Sequence, residues 1–320
     1  MKIVILGAGV QGTLYGVRLA RAGHDVTLIA RGLRAKELCA QGAVIQHAIT
    51  GRRDTVHLPV FEMLSSDVHA DLCLVTVRRE QLPAVLPDLT RAAGITRFIF
   101  MVNHANGSAF LISALGRTRV VLAFPGAAGG IEDGIDHYIE VAEQPTAIDT
   151  QAQDIAVMFR TAGFKVSLVP DMDAWLRRHA VFVTAIAGAL YTKAGSARRL
   201  STDIAIIRTF ILGVREGWDA LDNLSVAHAP LVLHAIFRWV PLPVAAMYWS
   251  RLLGSTRGEY YSARHTRHAA KEMAALADDI RALAPDEPMP CLRRLYAAID
   301  IAARHDTKQR NRSEQHATLD

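Results

Sequence analysis

The chain begins with an unbroken apolar run, Ile3 to Leu6, which stops at Gly7 and is followed by apolar residues at helical spacing, Val17, Leu19 and Ala20, as far as Gly23. A short continuous run marks a strand buried on both faces, and a 3.6-residue period marks a helix with one face inward. Asp25 to Ala30 then reads as a second strand and Leu33 to Gln41 as a short helix stopped by Gly42. Two weaker strands, Val44 to Ala48 and Thr55 to Pro59, flank the turn Thr50-Gly51-Arg52 and are expected at an edge of the sheet. Asp71 to Val77 is again continuously apolar. Helix Leu82 to Ala93, strand Arg97 to Val102 and strand Val120 to Phe124 follow, and Pro125 to Gly130 reads as a flexible loop. His137 to Val141 and Lys165 to Val169 are late strands around a helix from Ala152 to Ala162.

The pattern changes at Asp171. Beyond it the apolar residues keep helical spacing, over Ala174 to Leu190, Thr202 to Ser225, Tyr261 to Leu283 and Met289 to His305. The stretch Ala229 to Gly254 is strongly apolar, but His234, Arg238, Pro241 and Pro243 interrupt it before the ~20 residues that a bilayer crossing needs. It is read as buried helix, subunit contact or a lid, and no membrane is expected. Residues 306–320 are polar and unperiodic, which predicts a frayed tail. The expected layout is therefore α/β: residues 1–170 as one domain, 171–305 as an all-helical substrate-binding and dimerising domain, and 306–320 as the tail.

The turn between the first strand and helix is Gly7-Ala8-Gly9-Val10-Gln11-Gly12, a G-x-G-x-x-G in the strand-turn-helix context that gives the pattern meaning. Gly7 allows the tight turn, Gly9 lets backbone approach a pyrophosphate, and Gly12 lets the helix pack on the strand. The first N–H groups of the helix, Val10 and Gln11 among them, then face the phosphates. This is the fingerprint of a Rossmann dinucleotide-binding domain. An acid normally ends the second strand and holds the ribose 2′-OH of NAD; here the strand ends at Ala30-Arg31, with Arg34 a helical turn on, and a cation there fits the extra phosphate of NADP. Arg78 and Asn103 stand at the ends of later strands, on the edge that borders the cofactor crevice.

Composition narrows the picture. At 320 residues and 51% hydrophobic, the chain can bury two cores. The net charge of +5 is spread over scattered Arg-Arg pairs, without an aromatic-basic motif, which suits an anionic cofactor and substrate rather than nucleic acid. Three widely spaced cysteines do not make a disulfide framework, and Lys2 leads directly into the first strand without a signal sequence, so a reducing, cytoplasmic setting is expected.

With these features the chain resembles the ketopantoate reductase (2-dehydropantoate 2-reductase) family. The matching residues are Gly7 to Gly12, Gly23 to Arg31, Leu74-Val-Thr76, Asn103, Trp175 to Val181 and Glu216. The resemblance implies hydride transfer from NADPH to the carbonyl of a 2-oxo acid, a lysine on the first helix of the second domain as proton donor and asparagines on the next turns as substrate holders; a homodimer is one of the partners the chain could take, and the sequence leaves the oligomeric state open. Here Arg78 stands in place of the lysine that the resemblance implies at the end of the third strand and Arg178 in place of the one on the helix, and Phe182 and Ile186 stand where the asparagines would be. The substrate-carboxylate position falls on His265, counted back along one helix from Pro285. Arginine clamps anions but is a poor proton donor, so the proton is expected from a water or from a histidine, His179, His265 or His104, with Lys193 as the rival to Arg178.

The exchange of polar for apolar groups points to a 2-oxo acid or ketone more apolar than ketopantoate. The competing expectation is a relative whose chemistry has decayed, binding NADPH as a sensor or partner subunit. His265, His268 and Glu272 share a helix face at a spacing that suits a metal ion or an exposed polar stripe, and no metal is assigned to them.

Overall fold

A computed structural model of the chain describes residues 1–141, 144–227, 231–267 and 269–317; the side chains of 231–233, 265 and 308–317 fall outside it. The chain forms two compact units, Met1–Asn103 with Gly107–Asp173, and His104–Asn106 with Ala174–Asp320.

In the first unit β1 (Lys2–Leu6) leads into α1 (Val10–Arg21) and β2 (Asp25–Ile29), then α2 (Gly32–Gln41), β3 (Ala43–His47), β4 (Arg53–Val56), β5 (Val60–Phe61) and β6 (Ala70–Val75). Helix α3 (Leu82–Arg91), β7 (Ile95–Phe100), α4 (Ala109–Leu115), β8 (Val120–Phe124), β9 (Ala127–Glu132) and β10 (Ile135–Glu140) follow. Strand β11 (Thr146–Asp149), helix α5 (Gln153–Thr161) and β12 (Val166–Val169) complete the unit. The main sheet runs β12-β11-β8-β7-β6-β1-β2-β5, parallel except where β11 meets β8. Its buried strands carry the continuous apolar runs seen in the sequence, because helices cover parallel strands on both faces. Strand order reverses at β1, which lies between β2 and β6. At such a switch point a crevice opens beyond the carboxyl ends of the strands.

The weak strands have a different place from the one expected. β3 and β4 do form a hairpin, but they are not an edge of the main sheet; with β9 and β10 they make a second sheet, β4-β3-β10-β9. Strand β9 occupies the segment that reads as a flexible loop, because Gly129 sits where it passes close against His137 of β10. Helix α1 is held between the two sheets, packing on β2 on one side and on β3, β9 and β10 on the other. Tyr15 of α1 anchors this layer, its ring stacked on Phe164 at 4.0 Å and its hydroxyl 2.6 Å from Thr146 Oγ1.

The second unit is all helical: α6 (Met172–Tyr191), α7 (Ala197–Ser201), α8 (Ile204–Asn223), α9 (Leu231–Arg238), α10 (Leu242–Leu253), α11 (Thr256–Gly258), α12 (Arg264–Arg267), α13 (Ala270–Leu283) and α14 (Pro290–Ala317). The helix expected over Tyr261 to Leu283 is not continuous: a π-helical turn, Glu259–Ala263, leads into α12, and α13 begins only at Ala270. Residues 306–317, read from sequence as tail, continue α14. The apolar stretch becomes α9 and α10, parted by Pro241, and among the described residues no helix is long and apolar enough to cross a membrane. Phe210, Phe237 and Trp249 gather at its core with ring centroids 5.1–5.5 Å apart.

Candidate dinucleotide site and the helical-unit positions

The register of the main sheet brings four candidate segments to one edge. Leu6 pairs with Ile29 and Val75, and Val75 with Phe100, so the carboxyl ends of β1, β2, β6 and β7 lie level. Gly7 leaves β1 there, Arg31 stands two residues past the end of β2, Arg78 three past β6, and Asn103 three past β7.

Each glycine of the turn has a separate physical reason. Gly7 has φ +106°, a conformation that side-chained residues rarely adopt. A Cβ on Gly12 would come within 1.9 Å of the Gly7 carbonyl oxygen, so only glycine lets α1 start this close to β1. A Cβ on Gly9 would meet nothing within 4 Å. The space beside Gly9 is open, as backbone contact with a phosphate requires.

The carbonyls of the turn are all engaged. Thr76 Oγ1 donates to the Gly7 oxygen at 2.6 Å, Arg34 Nε to the Ala8 oxygen at 2.9 Å, and the Thr13 N–H to the Gly9 oxygen at 2.9 Å. No side chain caps the start of α1 and no acid lies in its first turn, so the N–H groups of Val10, Gln11 and Gly12 remain as donors. Gln11 reaches the other way, its Nε2 donating to the Ala127 carbonyl at 2.6 Å. The turn therefore presents donors and a positive helix end with its acceptors already bonded, which fits a pyrophosphate.

Arg31 is exposed and makes no hydrogen bond or ion pair with the described residues, leaving its guanidinium available beside the turn. Arg34, which the sequence offers as a second phosphate cation, is placed differently. Its five N–H donors meet Ala8 O, Gly134 O, Glu37, Thr13 and Asp136, and none is left for a ligand. Arg78 is exposed at the start of a short 3-10 turn, and Asn103 is half-buried. The sequence reading missed Thr13, Thr76 and Asp136 as supports of the turn. Thr76 had a signal, a hydroxyl at the end of a buried strand; Asp136 had none, its partner lying 102 positions away.

In the helical unit the expected catalytic stripe lies within the core. Arg178 is fully buried; its Nη2 pairs with Asp222 Oδ1 at 2.6 Å and donates to the Val226 carbonyl, and Nε donates to the Ala227 carbonyl at 2.6 Å. The sequence expectation of an arginine reaching out of the helix is corrected by this arrangement, because a buried guanidinium must be neutralised and bonded where it lies. Phe182, one turn on, packs with Phe210, Phe237 and Trp249, and Ile186 is buried. His179 is buried and stacks on Trp175 at 4.8 Å. His104 is also buried and belongs to this unit, whereas Asn103 belongs to the first.

Lys193 pairs with Asp203 at 2.6 Å, and Glu216 accepts from the Leu292 N–H at 3.0 Å, capping α14. The side chain of His265 and all of His268 lie outside the described residues. The break between α12 and α13 removes the continuous helix on which the count to His265 relied. Among the described residues no cluster suited to a metal ion is found.

The chain is similar in part to known proteins. The sequence profile of the family described as ketopantoate reductase PanE/ApbA matches residues 3–128. A 2-dehydropantoate 2-reductase from Pyrococcus horikoshii is 50% identical over 46 residues, which is 14% of this chain and 15% of that protein's length. Among solved structures, a PanE/ApbA family ketopantoate reductase from Ralstonia eutropha JMP134 superposes with a TM-score of 0.76 at 20% identity, covering 97% of this chain and 100% of that one. D-mandelate dehydrogenase in a ternary structure with NADH and anilino(oxo)acetate gives 0.75 at 14% identity, covering 95% and 99%. The matched segment begins in β1 and takes in the glycine turn, Arg31, Thr76 and Asn103; over these residues the chain is similar to the ketopantoate reductase family, and as a whole it has the fold of the two solved structures.

Proposed function

We propose that the chain is an NADPH-dependent reductase of a 2-oxo acid or related ketone, with a substrate more apolar than ketopantoate. The observation that carries this reading is the glycine turn with its acceptors bonded and its donors open, next to an unpaired Arg31. The α1 N–H groups would hold the pyrophosphate and Arg31 the 2′-phosphate, a charge-assisted contact that NADH lacks. Bound NADPH supplies the hydride that reduces the substrate carbonyl. Arg78 and Asn103, on the same sheet edge, are proposed for the remaining cofactor contacts.

The likeness to a dehydrogenase solved with anilino(oxo)acetate supports a bulky substrate. His179 is the imidazole nearest in sequence to the displaced lysine position, and it is proposed as the group that delivers the proton. One observation favours a second reading. Arg178 is committed to Asp222 and two carbonyls, so the position from which the family's proton donor acts is closed, as in a protein that binds NADPH without turning it over.

Following NADPH oxidation with 2-oxo acids of increasing side-chain size, alongside direct NADPH binding, separates the two. Turnover that rises from pyruvate toward an aromatic oxo acid is expected for the reductase. Tight binding with no turnover on any member of the series assigns the sensor reading, and no binding of either dinucleotide overturns both.

A further inference from the structure

The second sheet has no part in the phosphate-binding fingerprint, yet it reaches the turn at two points: Gln11 Nε2 bonds the Ala127 carbonyl of β9, and Arg34 bonds Asp136 of β10 and the Gly134 carbonyl at the β9–β10 bend. Asp136 is fully buried, and its strand is fixed from both sides, facing Ile45 of β3 and Ile131 of β9. The groups that face its carboxyl are Arg34 and Glu37 from α2 and Thr13 from α1. Arg34 spans the distance from this carboxyl to the Ala8 oxygen.

A trans peptide is planar, with its C=O and N–H opposed. The Ala8 carbonyl that Arg34 holds belongs to the same peptide as the Gly9 N–H, so drawing the oxygen back toward Arg34 aims the Gly9 N–H the other way. If that peptide turned over, a carbonyl oxygen would face the anion instead.

Resting on the dinucleotide reading above, we propose that Asp136 is a positioning residue for the cofactor, acting through Arg34 to orient the Ala8–Gly9 peptide that receives the pyrophosphate. The carboxyl must be ionised to hold Arg34 with a charge-assisted bond. Burial pushes it up to about 7 against the pull of Arg34, so its charge changes within the neutral range.

Three measurements test this. The first is NADH affinity by calorimetry, since NADH lacks the 2′-phosphate whose own titration would confuse a pH profile. The native chain should bind NADH more weakly as pH falls from 8 to 6. Asp136→Asn should show at pH 8 the weaker affinity of the native chain at pH 6, about tenfold down, the scale of one hydrogen bond's net contribution, with a flat profile. A variant that keeps the native affinity and profile overturns the proposal.

The second is Arg34→Lys, which keeps the charge but loses the fork: NADH and NADPH should weaken alike, and a loss confined to NADPH would make Arg34 a phosphate ligand instead. The third needs no cofactor. The backbone amide resonances of Ala8 and Gly9 in the free chain should shift or broaden in Arg34→Lys with those of the rest of β1 and α1 unchanged; native resonances at both positions refute the positioning role even if the chain proves to bind no dinucleotide, a result that would separately remove the functional reading.

Discussion

The two units meet the demands of a site in opposite ways. In the first, the candidate site is built of backbone: three glycines, four level strand ends and a set of bonded carbonyls, with side chains such as Thr76 and Arg34 serving the main chain. In the second, the positions that the family resemblance marks as chemical are filled by side chains that serve the interior, an ion pair at Arg178 and an aromatic cluster at Phe182. Backbone geometry admits few residue types, so it survives divergence as a pattern. Side-chain chemistry at a helix position can be replaced by packing without disturbing the helix.

Substitutions can break that comparison. The largest effect is expected for Gly12→Val, whose Cβ would collide with the Gly7 carbonyl. Loss exceeding about 4 kcal/mol should leave no cooperative melt, and a folded, dinucleotide-binding variant would show that the close approach is not needed. Next is Arg178→Met, which leaves Asp222 without its buried partner. Breaking such a pair costs about 3 kcal/mol at the low end of the usual range, apt here because Asp222 is partly exposed and also pairs with Arg238 at 3.2 Å. Denaturant melts should register that loss while NADPH affinity stays native; full stability with a collapsed kcat would restore Arg178 to the reacting centre.

Arg31→Ala should weaken NADPH by about 1.5 to 3 kcal/mol and leave NADH nearly unchanged. Equal losses, measured by titration with each dinucleotide, would remove Arg31 from the 2′-phosphate. The smallest effect is a slope. Asp136 titrates higher in the folded chain, about 7, than its ordinary value of 3.8, so its favourable contribution is complete below that ordinary value and is lost as pH rises through about 7. Melting temperature followed from pH 5 to 8 should therefore fall more steeply in the native chain than in Asp136→Asn, and parallel slopes would place the titration elsewhere.

The sequence made the first β-α-β unit readable because its signals are local: a buried strand, a glycine turn and a helix stripe lie within thirty-one residues. The second sheet was not readable as a sheet. Short apolar runs beside turn residues mark the segments of β3, β4 and β10 as strands but say nothing of partners, and the parallel pairing of β10 with β3 joins residues some ninety positions apart. Arg34 shows the same limit on a single residue. Its place after the second strand suggests a phosphate ligand, and only Gly134 and Asp136, a hundred residues on, reveal that its donors are already engaged. In the helical unit the periodicity located α6 and α8 well, yet it did not separate a face turned to a ligand from one turned to Phe210 and Trp249. Both are apolar stripes.

Gly9 stands apart from its two companions. The open space beside it means that an alanine there meets no atom of the folded chain, so the fold places no demand on this position while the proposed dinucleotide would. One short motif thus answers to two kinds of selection, and a survey of all substitutions scored separately for abundance and for binding would pull its three glycines apart. Gly7 and Gly12 would be intolerant in both scores, and Gly9 in the second alone. A lineage released from the need for cofactor would lose Gly9 first, with its fold intact, which makes that residue a marker of whether relatives of this chain still bind a dinucleotide.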